Sequence, residues 1–190
     1  MKWQTLGDKL PKRRNPLARF TGRSVFRWMG WRLEGEFPNR SKMIVALVPH
    51  SSNIDFILTL AVLWGLGLKA KFMMKHTVFW FPLGNLLRAF GGIAVDRRAS
   101  HGLVEQMKAA FDSRRSLILG ITPEGTRSGA ERLKSGFARI AAAAKVPILP
   151  AVIDYRTRTV RFAALIEDVT DLEQVMERVR LEAMTGHTRL

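Results

Sequence analysis

Cysteine is missing altogether from the 190-residue chain, which excludes disulfides, thiolate metal sites and a thiol nucleophile, and leaves the redox compartment open. Long apolar runs are scarce as well. The longest nearly uncharged stretch, residues 56–68, falls short of the roughly 17–25 residues a helix needs to cross a bilayer, so no spanning helix is expected. A secretory leader is not expected either, because the first apolar residues are interleaved with Lys9, Lys12, Arg13, Arg14 and Arg19. There is no internal repeat and no low-complexity linker. Acidic residues are few: 16 Asp and Glu stand against 31 Lys and Arg, a formal charge of +15. Such an excess asks for a polyanionic neighbour, whether nucleic acid, an anionic membrane surface or a phosphorylated substrate, and charge alone does not choose among them.

What is present is globular composition, 47% hydrophobic and 25% charged, in a length suited to one well-packed core. Apolar runs at 43–49, 69–74, 91–95, 117–121, 148–153 and 159–165 read as strands. Between them, 56–68, 100–115, 133–144 and 171–183 carry apolar residues at helical spacing, and a short helix is expected around 85–90 in a loop rich in aromatics, with Gly65 and Gly67 as terminators of the first of these helices. Strands alternating with helices predict an α/β layered single domain with a largely parallel central sheet flanked by helices.

Ahead of this pattern, residues 17–31 predict a basic amphipathic N-terminal helix. At about 100° per residue, Leu17, Phe20, Trp28 and Trp31 fall within about 80° of one another, with Arg19, Arg23 and Arg27 in a neighbouring stripe. A helix of this kind can lie among lipid headgroups, tryptophans at the interface and arginines against anionic lipid; it can equally be an ordinary surface helix covering a core. Residues 1–35 are accordingly read as a membrane-association segment and 36–190 as the functional domain. Phe79, Trp80 and Phe81 would add a second apolar patch if exposed.

The chemistry concentrates at strand ends, where α/β sheets place their sites. His50-Ser51-Ser52-Asn53-Ile54-Asp55 joins the first strong strand to its helix. Ser52 or Asn53 can cap that helix, and Asp55 falls in its first turn. A tight turn brings imidazole and carboxylate together, and an imidazole held at one nitrogen is free to take a hydroxyl proton at the other. The plainer alternative is an aspartate favoured by the helix dipole and a histidine satisfying loop backbone. Two further strand ends carry Asp96-Arg97-Arg98 and Glu124-Gly125-Thr126-Arg127. Guanidinium groups bind phosphate bidentately, which makes Arg97 and Arg127 the candidate phosphate holders. Structural alternatives stand beside them: Arg97 paired with Asp96, Glu124 with Arg127, and Gly125 merely permitting a turn.

Taken together, these blocks resemble the glycerophospholipid acyltransferases. His50 to Asp55 is similar to their HX4D block, Gly91-Gly92-Ile93-Ala94-Val95-Asp96-Arg97 to the second, Pro123-Glu124-Gly125-Thr126-Arg127-Ser128 to the third and Val146-Pro147-Ile148-Leu149-Pro150 to the fourth. Lys75, Pro82, Gly84, Lys134 and Gly136 also fall where similar proteins often have these residues. Four ordered blocks are far more specific than one. The resemblance implies transfer of a fatty acyl group from an acyl thioester, acyl-CoA or acyl-ACP as co-substrate, to the free hydroxyl of a lysophospholipid such as 1-acylglycerol 3-phosphate. His50 would be the general base, Asp55 its orienter, and Arg97, Glu124, Gly125, Thr126, Arg127 and Lys75 would bind substrate. No metal or further cofactor is implied, and the setting would be peripheral, on the cytoplasmic face of an anionic membrane.

Two departures bear on the acceptor. Ile121-Thr122 precedes the third block where an aromatic residue is common, and Ala94 replaces a bulkier residue in the second. Acyltransferases for other lysolipids, including lyso-ornithine lipids, resemble the pattern too. From other classes, a hydrolase with water as acceptor and a non-catalytic nucleic-acid-binding protein are the competing readings, the latter opposed by scattered basic residues and the lack of any nucleic-acid-binding signature.

Overall fold

The computed structural model describes residues 3–49, 52–95, 100–124 and 133–188. Six helices and seven strands are found there in the order α1 (Pro16–Trp28), β1 (Arg32–Glu34), β2 (Lys42–Val48), α2 (Asn53–Leu66), β3 (Lys71–Lys75), α3 (Leu83–Ala89), β4 (Gly92–Val95), α4 (Ser100–Asp112), β5 (Leu117–Ile121), α5 (Gly136–Ala144), β6 (Ile148–Asp154), β7 (Thr159–Phe162) and α6 (Leu172–Met184), with a short 3-10 turn at His76–Val78. The strands form one sheet in the order β1-β7-β6-β2-β5-β3-β4. All neighbours are parallel except β6 and β7. The expected α/β layered domain with a largely parallel sheet is what the chain forms.

Side chains alternate across a strand, and the alternation divides the core in two. From β2, Met43, Val45 and Leu47 face the layer of α1 and α2, joined there by Ile118, Leu149, Ala151 and Ile153. Ile44, Ala46 and Val48 face the opposite layer, where Phe111, Phe137, Ile140, Val175 and Val179 of α4, α5 and α6 close over them. With both faces covered, β2, β5 and β6 read as unbroken apolar runs rather than alternating ones, as buried parallel strands do.

Helix α2 begins at the N-cap Ser52, whose hydroxyl accepts the Ile54 N–H at 3.1 Å. It ends at Gly67, φ 77°, a left-handed conformation that glycine adopts without steric cost. Gly65 lies inside the helix instead of terminating it. Helix α1 packs along α2, with Arg19 beside Gly67 and Gly22 against Ala61 and Gly65, so the two run antiparallel. The Arg23 side chain donates to the Gly65 carbonyl at 2.9 Å, locking the crossing.

The N-terminal helix is shorter than its periodicity suggests. Met29 caps it and Gly30 takes φ 74°, so Trp31 leaves the helix and turns inward to 6% exposure. Leu17, Phe20 and Trp28 do share an outward face. The three-residue strand β1 was not anticipated; it joins the sheet edge by pairing with β7. Helix α5 starts at Gly136, three residues later than its apolar pattern, because Lys134 donates its N–H to the Pro123 carbonyl at 2.8 Å and holds the preceding chain against the end of β5.

Candidate active site

Asp55 lies in the first turn of α2, just past the carboxyl end of the central strand β2, and is wholly buried. A carboxylate out of water must be surrounded by donors. Oδ2 accepts the Ser52 N–H at 2.8 Å, completing a reciprocal capping box in which the Ser52 side chain in turn accepts from the start of the helix. Oδ1 accepts the hydroxyl of Tyr155. Tyr155 follows the last residue of β6, and its ring meets Trp31 edge to face with centroids 4.9 Å apart. Its N–H donates to the His187 carbonyl at 2.9 Å, so the chain after α6 returns to hold it.

Of the other residues expected at the site, Glu124 is 2% exposed and stands three residues beyond β5, the strand next to β2. Lys75 is the last residue of β3, paired in register with Val95 of β4. His50, Arg97, Gly125, Thr126 and Arg127 lie outside the described residues, as does Asp96. Asp55 and Glu124 thus sit at the same edge of the sheet, after adjacent parallel strands. The chain pattern offered no hint of Tyr155, although it is the only tyrosine in the sequence and follows directly on a buried strand.

An apolar cleft of about 230 Å³ opens beside α2, lined by Leu47, Phe56, Phe72, Met74, Val78 and Gly120 among others. It shares Leu47, Thr59, Phe72 and Gly120 with a small apolar gap of about 30 Å³ between α2 and the sheet. Over the other face, a cavity of about 690 Å³ lies between α4 and α5, where Lys134, Arg139 and Glu105 add charge to an apolar lining. Among the described residues no three His, Asp or Glu side chains are grouped to hold a metal ion. No described helix is long and apolar enough to cross a membrane.

The family model described as Acyltransferase matches residues 31–154. The chain is 33% identical over 120 residues to a 1-acyl-sn-glycerol-3-phosphate acyltransferase of Limnanthes alba, covering 59% of this chain and 41% of that protein. It is 31% identical over 128 residues to a protein of the same name from Cocos nucifera, covering 64% and 40%. The chain therefore spans less than half the length of either curated relative. The crystal structure of the 1-acyl-sn-glycerophosphate (LPA) acyltransferase PlsC from Thermotoga maritima matches with a TM-score of 0.56 at 21% identity, over 91% of this chain and 80% of that one, a likeness of fold.

Proposed function

The chain belongs to the acyltransferase family, and from that premise we propose that it moves a fatty acyl group from acyl-CoA or acyl-ACP to the free hydroxyl of a lysophospholipid, 1-acylglycerol 3-phosphate yielding phosphatidic acid. The observation that carries this reading is a wholly buried aspartate, held by donors at the carboxyl end of the central strand and five positions after a histidine. In the proposed reaction His50 takes the acceptor's hydroxyl proton as its oxygen bonds to the thioester carbon, and Asp55 orients the ring and stabilises the imidazolium. The tetrahedral intermediate expels the thiolate, which takes the proton back from His50, leaving an ester, a free thiol and the enzyme unchanged. Arg97 and Arg127 would hold the phosphate, with Glu124, Gly125, Thr126 and Lys75 completing the acceptor site. The apolar cleft beside α2, lined by Phe56 and Thr59 among others, suits the acyl chain of the donor.

The membrane partner is inferred from α1. Leu17, Phe20 and Trp28 project outward, Trp28 at 88% exposure, beside a stripe of arginines that suits anionic headgroups on the cytoplasmic face. Residues 1–35 would then be the membrane-association segment, the enzyme peripheral.

Incubation with an acyl thioester and lysophosphatidic acid should release free thiol and form phosphatidic acid, and His50→Ala or Asp55→Asn should abolish release while the protein stays folded. Full activity in both variants refutes the chemistry. Running the same assay over a panel of lysolipids, with products identified by mass spectrometry, separates the phosphatidic-acid reading from other acceptors, and free fatty acid outpacing acylated product would identify a hydrolase. Binding to anionic vesicles should be salt-sensitive and fall when Trp28 becomes Ser; unchanged binding removes α1 from the membrane reading.

A further inference from the structure

We infer that Tyr155, a residue outside all the blocks that suggest the chemistry, is a positioning residue that fixes the Asp55 carboxylate through its phenol hydroxyl. The inference rests on the reading of Asp55 as the orienter of His50. A carboxylate turns about a broad, two-fold terminal torsion unless both oxygens are held. The Ser52 N–H holds Oδ2 at 2.8 Å from within the same capped turn. By itself that bond leaves the carboxylate plane free to pivot about Oδ2. Tyr155 takes Oδ1 from 100 positions away in the chain, on a different element of the fold. Donors anchored independently, one at the N-cap of α2 and one just past the end of β6, set the plane, and with it the direction of the remaining lone pairs.

Tyr155 is itself fixed on three sides. The end of β6 immediately precedes it, the Trp31 indole stands at 89° to its ring, and its N–H is tied to the His187 carbonyl. Gly186, beside His187, packs so closely on the chain before the proposed base that an added β-carbon would lie 2.5 Å from Pro49 Cδ. The segment after α6 therefore braces both Tyr155 and Pro49. A phenol is neutral and protonated near pH 7, so its hydroxyl can always donate, and a hydroxyl bond to an ionised carboxylate is roughly twice as strong as one between neutral groups. Were the ring present only to fill space, phenylalanine would serve equally well.

Tyr155→Phe keeps the ring against Trp31 and removes only the hydroxyl. With acyl-CoA and lysophosphatidic acid, kcat should fall about tenfold or more, the loss that accompanies a misaligned base, while KM for donor and acceptor stays within twofold. A kcat within twofold of wild type, or a loss confined to KM, overturns the proposal. Thermal unfolding reads the contact without activity: the Tm losses of Tyr155→Phe and Asp55→Asn should exceed the loss in the double variant when summed. Additive losses in an enzyme of full wild-type turnover overturn the positioning contact alone. Coupled losses in a protein that releases no thiol from either donor class overturn the acyl-transfer reading, and the catalytic half of this proposal with it.

Discussion

Gly22 packs directly on the backbone of α2, and replacing it by alanine sets two familiar effects against each other. A β-carbon at this position would lie 2.6 Å from Gly65 N, 2.7 Å from the Ala61 carbonyl oxygen and 2.7 Å from Trp64 Cβ. The first two are backbone atoms of a helix and cannot rotate away. To reach an ordinary carbon contact of about 3.5 Å the helices must part by nearly 1 Å, which loosens the dispersion contacts along the crossing. Overpacking of this kind costs about 1–3 kcal/mol. Against it, alanine in a helix interior gains about 0.8–1 kcal/mol over glycine. The clash should win, leaving a net loss of up to about 2 kcal/mol, or a Tm lower by up to about 8 °C at about 2–4 °C per kcal/mol in a chain of this size. Gly136, at the start of α5, is the matched control: a β-carbon there meets nothing within 4 Å. Gly136→Ala should raise stability by about 0.4–1 kcal/mol through the unfolded chain. Scanning calorimetry of both variants decides the matter. If Gly22→Ala melts at or above the wild type, the crossing is not as tight as these distances require, and the packing of α1 on α2 must be reconsidered.

Asp171 caps α6 by accepting the Glu173 and Gln174 N–H groups, each at 3.0 Å, so Asp171→Ala should cost about 1 kcal/mol in chemical denaturation. Partial burial works to raise the Asp154 carboxyl, but hydrogen bonds from the Thr157 hydroxyl and the Arg156 N–H, with the charge of His187, hold it below its ordinary value. A depressed folded value stabilises the protein above the unfolded carboxylate value of about 3.9 and loses that stabilisation as pH falls through the lower one. Asp154→Asn should therefore be less stable than wild type at pH 7, with the gap closing below about pH 4 in urea titrations at stepped pH. A gap that widens toward acid would contradict the sign. At Gly120 an added β-carbon would come within 2.8 Å of Phe72 Cδ1, and pressing that ring into the apolar cleft should shift donor preference toward shorter acyl chains in a competition assay with mixed thioesters.

Much of the frame was legible in the chain because it rests on local patterns. The apolar run of β2, the Ser52 cap, Asp55 in the first helical turn and Gly67 after the last are governed by residues within a few positions of each other. Where local pattern and fold differ, a distant contact intervenes. The periodicity through Trp31 is real, but the chain leaves the helix at Gly30 and Trp31 is buried against Tyr155. β1 has only three residues, Arg32-Leu33-Glu34, with no signal of their own, and exists because β7 offers an edge. The apolar pattern from Leu133 onward leads into a helix that starts only at Gly136, after the bond from Lys134 to Pro123. The blocks named His50 and Asp55 as partners, yet nothing in them pointed to the phenol that holds the aspartate's other oxygen.

The reason lies in the topology of a parallel sheet. β2 stands between β5 and β6 and runs parallel to both, so the chain leaving each of the three strands emerges at one edge. Parallel neighbours cannot be joined by a tight turn; each pair requires a crossover of a dozen residues or more. Residues that meet at such an edge are therefore necessarily far apart in sequence, as Asp55 and Tyr155 are, and no local window contains both. Sequence patterning identifies strand ends without saying which ends are neighbours, because the buried strands are apolar on both faces and carry no mark of their partners. Of these three strands, β2 is the one flanked by both of the others. A carboxylate placed just beyond it is held by its own helix cap and by Tyr155 just past β6, while Glu124 stands on the β5 side. That asymmetry accounts for the aspartate's support coming from a strand end that carries none of the motif chemistry: on the proposed reading the motif-bearing flank holds substrate, and the bracing comes from the other.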